Sequence, residues 1–253
     1  MSDTYPEFVA RFYDTVYAHV RDGVDNAFYV REMLAAPGPA LEIGVGTGRL
    51  FVEARRKGAD VWGVDLSPEM ARRARERLAP EDRDRITVGD AVSMLLGRRF
   101  ALVIAPFRVL SHVATVEDQL RLLETVHEHL LPGGRFLFDV YVPAPRILAE
   151  GFCGFVDFDG EWSPGHKMRR IVDANADIVN QISHIRMRFV WEEGGIEREG
   201  EWSFDMRFFF RFELEHLVRR SPLALDAIYG DFEGSPLSPE SREMVVCTRR
   251  TAG

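Results

Sequence analysis

The chain reads as an α/β protein built on a doubly wound parallel sheet with helices on both faces, plus an inserted antiparallel β segment. Three observations predict this. Short apolar runs alternate with helical periodicities from Ala40 to Tyr141, as expected of parallel strands covered on both faces. The first run opens into Gly44-Val45-Gly46-Thr47-Gly48 and then a helix, so the backbone can turn sharply and approach a ligand. About 20 residues on, Asp65 closes the second run, where a ribose diol would find a carboxylate.

In chain order, residues 5–35 are helical. Phe8, Phe12, Val16 and Val20 recur every four residues, Gly23 interrupts them, and a second helix covers Asp25 to Ala35. Pro37-Gly38-Pro39 stops it. Strands follow at Ala40–Ile43, Val61–Asp65 and Ile86–Gly89, separated by helices over Leu50–Lys57 and Pro68–Leu78. Ser67 before Pro68 is the better N-cap of the second of these, which leaves Asp65 for the ligand. Phe100–Ala105 is apolar throughout and reads as a buried strand, Val116–Leu130 as a helix, and Arg135–Tyr141 as the fifth strand. Near the end, Phe212–Arg220 is helical, and Leu223–Phe232 and Arg242–Arg250 are strands around Glu233-Gly234-Ser235-Pro236.

The glycine spacing is G-x-G-x-G, not the G-x-G-x-x-G of dinucleotide sites. Glu42, one turn of strand before the loop, would repel a pyrophosphate but hold an ammonium or sulfonium centre. On these residues the chain resembles the class I S-adenosylmethionine-dependent methyltransferases. Asp65-Leu66-Ser67-Pro68-Glu69-Met70 resembles that family's second-strand end, Gly89-Asp90-Ala91 its third, and Leu131-Pro132-Gly133-Gly134 the turn before its fifth. The resemblance covers roughly residues 40–140. It implies seven strands with an antiparallel last one, and S-adenosylmethionine as cofactor. It further implies cofactor contacts from Glu42, Gly44, Gly46, Gly48, Asp65, Leu66, Met70, Asp90, Ala91 and Ala105. The residues alone leave two alternatives open: Asp90 as a turn cap and Met70 as core.

Between the fifth strand and the last helix lie about sixty residues that read as antiparallel. Ile185, Met187, Phe189 and Trp191 form one face and His184, Arg186 and Arg188 the other. Trp202, Phe204, Met206 and Phe208 then oppose Glu197, Glu199 and Glu201. A turn at Glu193-Gly194 would pair Arg188 with Glu199 and Arg186 with Glu201. The aromatic face must cover the sheet's open end, a substrate, or a second subunit, the last giving a homodimer. The expected division is residues 1–150 and 211–253 for the cofactor domain, and 151–210 for a lid or dimerisation subdomain.

Composition narrows the function. At 253 residues and 46% hydrophobic content one packed α/β domain is sustainable, and the net charge of −8 disfavours a nucleic-acid surface. Cys153 and Cys247 form no metal or redox pair, Met1-Ser2-Asp3-Thr4 starts no signal peptide, and no apolar run is long enough for a membrane span. A cytoplasmic enzyme acting on a small molecule is expected.

The fourth strand delivers Ala105-Pro106-Phe107-Arg108 to the ligand edge. Ala105 and Phe107 depart from the Asp/Asn-Pro-Pro-aromatic motif that base-methylating enzymes resemble, so exocyclic base methylation is not expected. His112 could serve as a base or start a helix; Arg108 could hold a substrate anion or cap a chain end. Tyr13 and Tyr17 resemble the N-terminal tyrosine motif of bacterial small-molecule methyltransferases, including amino-sugar N-methyltransferases. The resemblance implies that one of these hydroxyls approaches the methionine end of the cofactor or the substrate amine; by spacing alone, two tyrosines four residues apart are more often core. Tyr141 and Asp139 are further candidates for the substrate wall. The expected reaction is methyl transfer by in-line displacement to an N or O atom, with no metal. The alternatives are a non-catalytic S-adenosylmethionine binder and a nicotinamide-dependent oxidoreductase.

Overall fold

The structure, a computed structural model, describes residues 5–20 and 23–251. Met1–Thr4 and the side chain of Val20 lie outside the described residues. Helices α1 (Glu7–Val20) and α2 (Val24–Ala35) precede β1 (Ala40–Ile43), α3 (Arg49–Arg56), β2 (Val61–Asp65), α4 (Pro68–Glu76), β3 (Ile86–Val88) and β4 (Phe100–Ala105). After α5 (Val116–His129) the chain forms β5 (Leu130–Tyr141) and a short α6 (Pro145–Glu150). Four long strands follow: β6 (Phe152–Ser163), β7 (His166–Asp177), β8 (Ile182–Glu193) and β9 (Ile196–Arg207). The chain closes with α7 (Arg211–Arg219), β10 (Leu223–Tyr229) and β11 (Glu243–Arg250).

Seven strands form one sheet in the order β10-β11-β5-β4-β1-β2-β3, parallel except for β11. Strand alternation divides its core. Val103 and Ala105 of β4 face α5 and α7, whereas Leu102 and Ile104 face the helices of the other side, including Phe28 and Tyr29 of α2. Strand order reverses between β1 and β4, so the loops after these two strands diverge and leave a crevice at their carboxyl ends. The fifth strand starts earlier than the sequence suggests. Leu130 pairs with Phe100, the register then shifts, and pairing resumes between Leu102 and Arg135.

The second sheet, β6-β7-β8-β9, is antiparallel. Its inner face carries Met187, Phe189, Trp191 and Trp202, packed with Val9, Phe12 and Val16 of α1 in a third hydrophobic cluster. The aromatic face therefore finds its partner within the chain, and a second subunit is not needed to bury it. The helix that does so belongs to residues 1–150, so the expected boundary at 150 divides the cluster that α1 and the inserted sheet share.

The β8–β9 hairpin corrects the expected register. Its two-residue turn is Gly194-Gly195, both at positive φ (62° and 75°), which pairs Arg188 with Glu201 and Arg186 with Ser203. Such a turn needs left-handed backbone at both positions, which two glycines adopt freely and Glu193 would not. The two-residue slip leaves each side chain on its expected face. Arg186 instead reaches Asp173 on β7, at 2.5 Å.

Candidate functional site

The loop from β1 to α3 turns through three glycines at positive φ: Gly44 (75°), Gly46 (59°) and Gly48 (85°). They serve different ends. A Cβ on Gly44 would lie 2.5 Å from Val109, so this glycine lets the β4 loop pack close. A Cβ on Gly48 would press on Ala74 of α4 at 3.1 Å, so Gly48 serves helix packing and does not line the cleft. Only Gly46 opens onto empty space, with no protein atom within 4 Å of a Cβ placed there.

Asp65 is 7% exposed. Its Oδ2 accepts from the Gly46 amide and its Oδ1 from the Ser67 amide, both at 2.7 Å. Ser67 caps α4 as expected, accepting from the Met70 amide at 3.3 Å. The carboxylate, which also lines the cleft, has a structural task as well: it ties the glycine loop to the start of α4. Burial raises the Asp65 pKa while the two amides oppose the rise.

Glu42 is 1% exposed, and its Oε2 has no hydrogen-bond partner. Burial pushes its carboxyl well above the ordinary range; Arg49 opposes this and Asp65 adds to it. A buried oxygen without a donor is costly, and a cation nearby would relieve it.

Gly44, Gly46 and Asp65 border a cleft of about 400 Å³ at the crevice between β1 and β4. Tyr13, Gly44, Gly46, Asp65, Leu66, Met70, Asp90, Ala91 and His112 line it. Met70 is both fully buried and in the wall. Asp90 Oδ1 accepts from the Val92 amide at 2.9 Å, as a turn cap does, and the residue lies in the wall. Glu42, Ala105, Tyr17 and Arg108 lie behind or beside the lining.

Ala105 is fully buried, and the wall there is made by Pro106 and Phe107. Phe107 and Arg108 both adopt left-handed backbone, at φ 58° and 64°. Asp139 holds them so: Oδ1 accepts from the Phe107 amide at 2.8 Å and Oδ2 from the Arg108 amide at 3.2 Å. Tyr29 donates its phenol to the same carboxylate at 2.7 Å. Asp139 is therefore a fully buried support of the cleft loop and not part of a substrate wall. The Arg108 guanidinium pairs with Glu243 at 2.6 Å and lies 5.2 Å from the Tyr141 ring, facing a separate polar cleft.

On the open side, α1 covers the glycine loop. Thr47 donates to Asp14 Oδ1 at 2.5 Å, and Arg77 donates to Asp14 Oδ2 at 2.7 Å and to the Thr47 carbonyl at 3.1 Å. Tyr13 and Tyr17 of the same helix meet at 4.3 Å, and Tyr17 meets Phe107 edge-on at 4.9 Å. Tyr5, not anticipated from the sequence, also lines the cleft and lies against Trp202 of β9 at 4.5 Å. No spacing pattern marks Tyr5, Asp14 or Trp202, because each matters only once α1 is seated on the inserted sheet. Enclosure pushes the Tyr5 and Tyr13 phenols above their ordinary pKa, so both stay protonated at neutral pH and are poor bases. His112 is exposed at the cleft's edge, 5.7 Å from Phe204.

S-adenosylmethionine fits this donor set. The unpartnered Glu42 oxygen suits a cation, the space above Gly46 admits a ligand beside the Asp65 carboxylate, and exposed Leu66 with Asp90 and Ala91 offers an adenine wall.

Comparison with known proteins agrees. Residues 40–134 match a family described as a methyltransferase domain. The chain is 26% identical to the cypemycin N-terminal methyltransferase of a Streptomyces species, over 99% of this chain and all of that protein. It is 28% identical to the dTDP-3-amino-3,4,6-trideoxy-alpha-D-glucopyranose N,N-dimethyltransferase of Streptomyces venezuelae, over 64% of this chain and 68% of that one. Among solved structures, the CcbJ methyltransferase of Streptomyces caelestis superposes with a TM-score of 0.74 at 26% identity, covering 92% of this chain and 91% of that one.

Proposed function

We propose that this chain, which belongs to the class I S-adenosylmethionine-dependent methyltransferases, methylates an amine nitrogen of a small molecule. Of the similar proteins, one is named an N,N-dimethyltransferase of a dTDP-linked amino sugar and another an N-terminal methyltransferase. The observation that carries the reading is the cleft itself. It joins Gly46 and the buried Asp65 carboxylate to an edge formed by tyrosines and His112.

S-adenosylmethionine supplies a methyl group already activated on a sulfonium. The chain's own tasks are then to bind, orient and exclude water, which can supply several kcal/mol of the barrier. Glu42 and Asp65 would hold the polar ends of the cofactor, Leu66, Met70 and Ala91 would flank its base, and Asp90 would accept from the base's amino group. Gly46 would give the close approach. The phenols of Tyr5 and Tyr13, kept protonated by burial, would act as donors and shield the cleft. His112 is the group at the edge able to take the proton of an ammonium acceptor and pass it to solvent. Arg108 stays with Glu243, outside the chemistry.

Calorimetric titration with S-adenosylmethionine, S-adenosylhomocysteine and NAD tests the cofactor. Binding of the first two and not of NAD is expected; NAD alone would overturn the assignment. A panel of amines and alcohols assayed for S-adenosylhomocysteine release then tests the acceptor, and turnover of alcohols alone would refute the nitrogen.

A further inference from the structure

Aromatic rings from distant parts of the chain form a connected arc around the open side of the cleft. It starts at Phe107, in the loop after β4, and runs through Tyr17 and Tyr13 of α1. Tyr13 meets Tyr5 edge-on at 6.0 Å, and Tyr5 lies on Trp202 at 4.5 Å. Trp202 stacks on Phe204 at 4.2 Å, and Phe204 reaches His112 at 5.7 Å. Phe107 and His112 both line the cleft and belong to the same loop, so the arc returns to where it began. Of these rings only Trp202 is buried; the others keep part of their surface exposed.

Among the described residues, three arginines beside the arc are matched by carboxylates. Arg49, 5.7 Å from the Phe107 ring, pairs with Asp25 at 2.8 Å. Arg170, 5.1 Å from the Tyr17 ring, pairs with Asp157 at 2.6 Å. Arg108, next to Phe107, pairs with Glu243 at 2.6 Å and faces a second cleft that Asp231, Glu233 and Glu240 also line. A phosphate-bearing acceptor would have to displace these carboxylates or sit against them. A cation in the cleft meets attraction from the π faces and from Asp65 and Asp90 in its wall.

We infer that the rings of the arc that line the cleft, Phe107, Tyr13 and Tyr5, are the acceptor's recognition surface, and that they select an amine presented as an alkylammonium cation that carries no phosphate. This rests on the reading of the chain as an amine methyltransferase. It sets this chain apart from the relative named for a dTDP-linked sugar.

The test is titration of the protein's S-adenosylhomocysteine complex with choline, with its uncharged isostere 3,3-dimethylbutan-1-ol, and with thymidine diphosphate. Choline is expected to bind about tenfold more tightly than the isostere, the effect of a well-enclosed cation–π contact. Phe107→Leu and Tyr13→Leu should each erase most of that difference, and Tyr13→Phe should keep it. S-adenosylhomocysteine affinity of each variant reports whether its cleft is intact, and both rings are only half-buried. Equal affinity for choline and the isostere, or no choline binding, overturns the proposal, as does tighter binding of thymidine diphosphate than of choline. Failure of the unaltered protein to bind S-adenosylhomocysteine would instead remove the cofactor reading beneath it.

Discussion

On one side of the cleft, Gly44, Gly46 and Asp65 belong to a single βαβ unit and act largely through backbone geometry. On the other side, Tyr5, Phe107 and Trp202 come from three distant segments and act through side-chain rings. The helices α1 and α2 show the same contrast. They are neighbours in the chain, yet α2 packs Phe28 and Tyr29 on the seven-stranded sheet while α1 packs Val9, Phe12 and Val16 on the inserted one. The glycine-loop side is therefore a local structure that any such loop can form. The aromatic side exists only where two separate cores meet, held there by contacts such as Asp14 with Thr47 and Arg77.

Substitutions can separate the two sides. The largest effect is expected from Gly46→Val, whose side chain would enter the cleft. Because nothing in the protein opposes a Cβ there, the fold should persist, with strain of about 1–3 kcal/mol from the left-handed backbone. Calorimetry should find no cofactor binding, and retained binding would mean that the ligand lies elsewhere. Next comes Phe12→Ala in the α1 cluster, where a fully buried ring packs on Trp162, Phe189 and Trp191. A loss of about 3–5 kcal/mol is expected. Hydrogen exchange should show it in α1 and β6–β9 more than in β1–β5; uniform loss would mean that the two cores unfold as one.

Asp65→Ala should cost about 1–3 kcal/mol, since two backbone amides lose their acceptor. Cofactor affinity should fall as well. Denaturant titration beside calorimetry separates the two effects, and unchanged affinity would refute the ribose assignment.

The smallest effect should appear as a pH dependence. The Glu42 carboxyl is raised in the folded protein, so burial costs nothing at pH values where it is protonated both folded and unfolded. The penalty grows as pH rises above the ordinary carboxylate value and is complete above the folded one. Glu42→Gln should therefore match the unaltered protein in acid and become the more stable of the two toward neutral pH. It should also bind S-adenosylmethionine less tightly. Parallel stability curves across this range would show that the buried carboxyl carries no such penalty.

The amino-acid sequence alone determined the order of strands and helices, the glycine turn, the Ser67 cap and the place of Asp65. All of these rest on neighbours within one βαβ unit, where residue type and spacing fix the backbone. The two faces of the inserted strands were legible for the same reason, since side-chain alternation survives a two-residue slip. The slip itself depended on Gly194 and Gly195 together satisfying a turn that Glu193 could not. Tertiary structure alone decided that Gly48 serves α4, that Arg108 is taken by Glu243, and that Asp139 supports a left-handed turn. It also decided that α1 is the partner of the inserted sheet. Each of these joins residues far apart in the chain, and the free energy that brings them together comes from burying whole faces, which no local pattern records.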